Sequence, residues 1–108
     1  MPCATRPHAR RVDLPFQPRW RPLVLSGAKT TTVRTRRHGA PGETFEVEGV
    51  RFVLEAVAAM PLGRARDLVW REEGMASPEE FEKVWAENHP ARGFRAGDSV
   101  WVHRFRRA

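Results

Sequence analysis

The longest uninterrupted apolar run in this sequence is the seven residues Ala56 to Leu62. That is about a third of the roughly 20 residues a bilayer-spanning helix needs. Elsewhere apolar residues alternate with charged ones or are cut off by nine prolines and eight glycines, so every element is short and has a wet face. A chain of 108 residues built this way has room for one core. Its 41% apolar and 30% charged residues suit a packed soluble domain rather than a disordered segment. Residues 1–14 are expected to be a basic flexible tail, with no apolar stretch behind its arginines to make a secretory signal, and residues 15–108 a single domain. The lone cysteine, Cys3, excludes an intramolecular disulfide and suits a reducing cytoplasm, the expected location.

Local signals give the element order. Phe16, Trp20, Leu23 and Val24 have helical spacing and Gly27 stands at the stop, but Pro18 and Pro22 require a helix that is short, starting near Arg21, or kinked. Thr30 to Thr35 is dense in β-branched residues and reads as a strand. After the turn at His38–Gly42, Thr44–Glu48 and Val50–Leu54 read as a hairpin closed at Gly49, and Pro61 and Gly63 break the chain. Ala65, Leu68, Val69 and Glu72 share a helical face that Gly74 ends. Ser77-Pro78-Glu79-Glu80 is a capped helix start, followed by Phe81, Val84, Trp85 and Asn88 on one face, with Pro90 as terminator. Val100–Phe105 is a last alternating strand. Helix, strands, two helices and a strand predict an α+β domain, a small mixed β-barrel with about three helices packed on it.

Net charge is +6 but unevenly spread, with +8 over residues 1–38, −6 over 39–90 and +4 over 91–108. If the basic ends meet, one face attracts polyanions, which makes RNA or another phosphate-bearing ligand the expected partner. No membrane partner is expected. Oligomeric state is open between monomer and weak dimer. The scattered histidines His8, His38, His89 and His103 show no ligand spacing, so neither a metal nor a cofactor is expected.

Leu25-Ser26-Gly27-Ala28-Lys29-Thr30-Thr31-Thr32-Val33-Arg34 resembles the signature of ASCH domains. Arg71 to Phe81 is similar to the family's Glu-Gly segment with its capped helix, and Gly97 to Phe105 resembles its closing strand. The three motifs occur in order over residues 16–105. The resemblance implies a PUA-like barrel with a cleft for RNA or a nucleobase. Small stand-alone bacterial members include amidohydrolases that remove the acetyl group from the exocyclic amine of acetylated cytidine, and by motif their catalytic residues map to Lys29, Thr32 and Glu73. Other members are described as RNA-binding or ribonucleolytic, and a tyrosine-dependent nuclease is excluded because the chain has no tyrosine. The alternative to an enzyme is a non-catalytic RNA-binding module that reads an unpaired base.

The residues themselves bear on that chemistry. Arginine supplies 17 of the 19 cations, yet Lys29 stands at the helix-to-strand junction. A buried lysine can lose its proton and arginine cannot, so Lys29 suits a general base. In a regular strand Lys29 and Thr32 would face opposite sides, so their convergence requires a bend near Thr30. Spacing leaves Glu72 and Glu73 equivalent, and only the resemblance selects Glu73. Whether Glu73 or Lys29 is the base stays open, because a nearby carboxylate favours the ammonium form. Arg34, Arg36 and Arg37 are the candidate phosphate contacts, and Trp20 and Trp70 the candidate base-stacking residues. Trp85 and Trp101 lie in patterned elements and are expected in the core.

Overall fold

A computed structural model describes residues 10–108. Cys3, His8 and most of the basic N-terminal segment lie outside the described residues. The order is a 3₁₀ turn (Pro18–Trp20), α1 (Arg21–Ser26), β1 (Thr31–Arg34), β2 (Thr44–Val47), β3 (Val50–Pro61), α2 (Leu62–Val69), α3 (Pro78–Asn88) and β4 (Ser99–Arg107). The class is α+β, three helices on a curled half-barrel of four strands in the order β1-β4-β3-β2. Every strand pair is antiparallel, and the one parallel contact among the described residues is an isolated bridge from Arg11 to Thr44. No helix of the described residues is long and apolar enough to cross a membrane.

The two prolines near the start are both accommodated. Pro18 opens the 3₁₀ turn, Pro22 sits in the first turn of α1 where its missing N–H is no loss, and Gly27 ends the helix at φ 86°. Glu48 and Gly49 both take positive φ, the two-residue turn that matches strand twist, and close the β2–β3 hairpin. Ser77 accepts a hydrogen bond from Glu80 N (3.0 Å), while the Glu80 carboxylate reaches one residue further back than a standard capping box, to Ala76 N (2.6 Å).

Three expectations need correction. α2 ends at Val69, before Glu72 and Gly74, and leaves Leu68 exposed. β3 does not stop at Leu54 but runs to Pro61, pairing along its length with β4 after a bulge between Leu54 and Ala56. Gly63 is not a breaker: it lies in the first turn of α2, where an added Cβ would come within 2.9 Å of the Ala96 Cβ. Its N–H bonds Ala96 O (2.9 Å) and that of Leu62 bonds Asp98 O (2.7 Å), so the free donors of the helix start are met by the passing chain.

The sheet has apolar packing on both faces. Along β4, Phe105 belongs to a cluster with Phe16, Phe45, Phe52 and Leu54, whereas Val100 and Val102 belong to one with Leu62, Val69, Phe81 and Trp85. Side chains of opposite parity point to opposite faces of a strand, so one cluster fills the half-barrel and the other lies under α2 and α3. Leu14 is buried in the first cluster, and Arg10 and Val12 bond the backbone of Thr44.

Candidate functional site

Three chain segments meet at the start of β1. Lys29 N–H bonds Leu23 O (3.0 Å), which ties it to the end of α1. The turn after α2 then offers Glu72 O to two successive donors, Thr30 N (2.7 Å) and Thr31 N (3.2 Å). The strand therefore begins only at Thr31, and Lys29 is outside its alternation. Lys29 and Thr32 both line the cavity described below. Gly74 takes φ 84°, and an added Cβ would lie 3.1 Å from Leu23 and 3.7 Å from the Lys29 Cβ, so glycine here lets α1 and the Glu73 turn close together.

Glu72 contributes its carbonyl and Glu73 its buried side chain. Lys29 Nζ lies 3.2 Å from Glu73 Oε1 and donates to Glu73 O at 3.2 Å. Thr31 Oγ1 donates to Glu73 Oε2 at 2.5 Å. Lys29 and Glu73 are 4% and 5% exposed, so both charges have left water. Burial pulls the Lys29 amine below the ordinary lysine range, against the opposing pull of Glu73. Among the described residues, both acceptors of Nζ are on Glu73. A neutral amine can satisfy both with its two hydrogens and keep its lone pair free, while an ammonium has one hydrogen left for a ligand.

Lys29, Thr32, Arg34 and Glu73 line a cavity of about 290 Å³ between the half-barrel mouth and α3. Trp20 borders it, with the Lys29 ammonium 5.5 Å from its ring centroid. Arg34 Nε donates to Thr32 Oγ1 (2.9 Å), Arg34 Nη2 donates to Pro15 O (2.6 Å), and the guanidinium stands over Phe16. Thr32 thus has its oxygen engaged and its own proton unassigned. Arg36 is exposed at the rim. Arg37 and Trp70 do not line this cavity. Arg37 stands over Trp101 and bonds Gly39 O, while Trp70 packs beside the second apolar cluster with Arg71 over its ring. Arg107, in the basic C-terminal run, bonds Leu25 O, and Arg106 pairs with Glu55.

Three contributors were not identified in the sequence. Thr31 orients Glu73. No sequence signal marks it, because Lys29 stands outside the strand's alternation. Trp85 is in the core and also forms a cavity wall, stacked on His89 at 4.1 Å between centroids. His103 is fully buried on the same β4 parity as Phe105. Its Nε2 accepts from His38 N (3.0 Å), so Nδ1 carries the proton and donates to Thr32 O (3.2 Å). Burial lowers its pKa, keeping the ring neutral. Among the described residues no group of three His, Cys, Asp or Glu side chains could hold a metal ion.

No family model matches the chain, and no curated protein matches it in sequence. Solved structures share its fold at low identity. An ASCH domain from Lactobacillus crispatus JV V101 superposes with a TM-score of 0.69 and 12% identity, covering 92% of this chain and 79% of that one. A protein from Enterococcus faecalis V583 assigned to the DUF984 family gives 0.62 and 19%, covering 83% and 70%. The chain has the fold of an ASCH domain.

Proposed function

We propose that this ASCH-fold protein binds RNA or a modified nucleoside in the cavity at Lys29 and removes the acetyl group from the exocyclic amine of acetylated cytidine. The observation that carries the reading is the dehydrated Lys29–Glu73 pair facing a base-sized cavity that also holds the Thr32 hydroxyl. A buried charge pair perturbed by desolvation and by its partner, and set beside a cavity, is a functional-site candidate.

Thr32 Oγ1 attacks the acetyl carbon and its proton passes to the neutral Lys29 amine. Lys29 returns that proton to the departing exocyclic nitrogen, and cytidine leaves. Water then attacks the acetyl-threonine ester, with Lys29 again taking a proton and returning it to Thr32, and acetate is released. Arg34 stabilises negative charge on Thr32 Oγ1 through its 2.9 Å bond, and Glu73, with both oxygens engaged, orients Lys29. Direct attack by water uses the same base.

The test is release of acetate from acetylated cytidine by wild type, Lys29→Arg and Glu73→Gln. Lys29→Arg keeps the charge but not a titratable amine, so turnover should collapse while ligand affinity changes less than tenfold. Retained turnover in Lys29→Arg with loss in Glu73→Gln makes the carboxylate the base. No acetate from wild type overturns the hydrolase reading and leaves a base-reading RNA module, which the rim arginines also suit.

A further inference from the structure

The segment from Thr35 to Ala40 is a ridge between two hollows. Thr35, Arg36 and His38 line the cavity described above. Arg37, His38, Gly39 and Ala40 line a second, open cleft of about 530 Å³, whose other side is Arg10, Arg11, Asp13 and Glu43. His38 belongs to both, so the hollows adjoin. The ridge is pinned at two points, His38 N to His103 Nε2 (3.0 Å) and Ala40 N to Glu43 Oε1 (2.7 Å), and braced internally by Arg37 Nε to Gly39 O (2.8 Å). Arg37, bonded to Gly39 O and standing over Trp101, faces the second cleft, and the exposed Arg36 lines the first cavity.

The first cavity is at the lower limit of small-molecule sites, enough for a base but little more, so a longer ligand must leave over its rim. The cleft across the ridge suits a nucleotide better than a uniformly anionic group. Among the described residues, Arg10 and Arg11 make surface ion pairs, to Glu43 (3.8 Å) and Glu46 (3.0 Å). Such pairs are weak in water and readily exchanged for a phosphate. Asp13 and Glu43 add acceptors for ribose hydroxyls, the groups that distinguish RNA from DNA.

We propose that the cavity takes its base as one unstacked nucleotide of a single-stranded RNA, whose chain crosses the Thr35–Ala40 ridge with a phosphate between Arg36 and Arg37 and the adjacent nucleotide in the second cleft. This rests on the base-binding reading above and narrows it from nucleoside to strand.

The experiment compares acetylated cytidine with a short single-stranded RNA carrying one acetylated cytidine, using wild type, Arg10→Ala and Arg10→Ala/Arg37→Ala. Wild type should favour the RNA in kcat/KM. The double variant should reduce that RNA-to-nucleoside ratio about tenfold or more, and flatten the salt dependence of RNA binding by about two phosphate contacts. Arg10→Ala, altering one exposed side chain, should give part of each effect without disturbing the ridge. Equal kcat/KM on both substrates in wild type, or an unchanged ratio in the double variant, overturns the proposal. If neither substrate releases acetate, the hydrolase reading fails by itself. Fluorescence anisotropy of the same labelled RNA then decides the strand proposal, which stands on weaker binding by the double variant and falls on no binding or equal binding.

Discussion

Replacing Glu73 by glutamine removes the charge opposite Lys29 at nearly constant volume. The amide can keep both local bonds, its oxygen accepting from Lys29 and its NH2 donating to Thr31 Oγ1, so the loss is almost wholly one of charge. With Lys29 protonated, the attraction at the observed 3.2 Å between Nζ and Oε1 is about 5 kcal/mol for an effective dielectric of about 20, and it is absent from the neutral form that takes the Thr32 proton. Breaking one side of a buried pair typically costs about 3–5 kcal/mol. In a domain of this size that lowers the unfolding midpoint by about 12–40 °C. Lys29→Met should cost a similar amount by leaving the carboxylate alone. The double variant Lys29→Met/Glu73→Gln should lose up to about 3 kcal/mol less than the sum of the two. pH supplies a second check. Without Glu73 the folded-state pKa of Lys29 falls further below its unfolded value of about 10.4. Between those values the unfolded chain binds more protons, so the stability of Glu73→Gln should rise with pH and its deficit should narrow towards pH 10. Guanidinium unfolding across pH measures all of this. Additive single effects below about 1 kcal/mol would mean a hydrated pair, and would refute the argument from burial.

Ser77→Ala should cost about 1 kcal/mol through loss of the bond to Glu80 N, with ligand affinity unchanged, as read by paired unfolding and binding curves. Gly74→Ala forces an L side chain to φ 84° and towards Leu23, so it should destabilise by at least about 1 kcal/mol, and an unchanged midpoint would refute the account of that turn. His103 has a lowered folded-state pKa, so its contribution is present above the unfolded value of about 6.5 and is lost as pH falls from there towards the folded pKa. Stability of the wild type should therefore fall over that acidic range, and His103→Gln should remove this part of the slope in pH-dependent unfolding.

What could be read from the sequence was local. Proline and glycine placed α1, the hairpin turn and the cap of α3, because those residues restrict their own backbone. The far half of β3 was illegible because Ala56–Met60 is mostly small residues without alternation, and its strand character comes from pairing with β4. On α2 the buried stripe is Leu62, Ala65 and Val69. Leu68 lies about 100° from Val69 around the helix and is 54% exposed, so it does not share the face expected of it. A regular strand would set Lys29 and Thr32 on opposite sides; the sequence did not show that the chain before Thr31 bonds instead to one carbonyl of a turn more than 40 residues away. Thr31 and His103 were missed for the same reason. Their partners are set by tertiary contact, and only parity along β4 hinted at His103.

β4 lies inside the sheet, between β1 and β3, yet it is made after every other described element. While a ribosome is still adding residues before Ser99, β1 has no strand to pair with and Thr32 lacks its contact to His103. Closing that ladder joins positions 71 residues apart, a distant pairing of the kind that slows folding. The nascent chain should thus carry the β2–β3 hairpin well before it has a pocket. The pocket is completed in one late step, and mutations that weaken β4 should lower the yield of folded protein more than they alter the folded molecules.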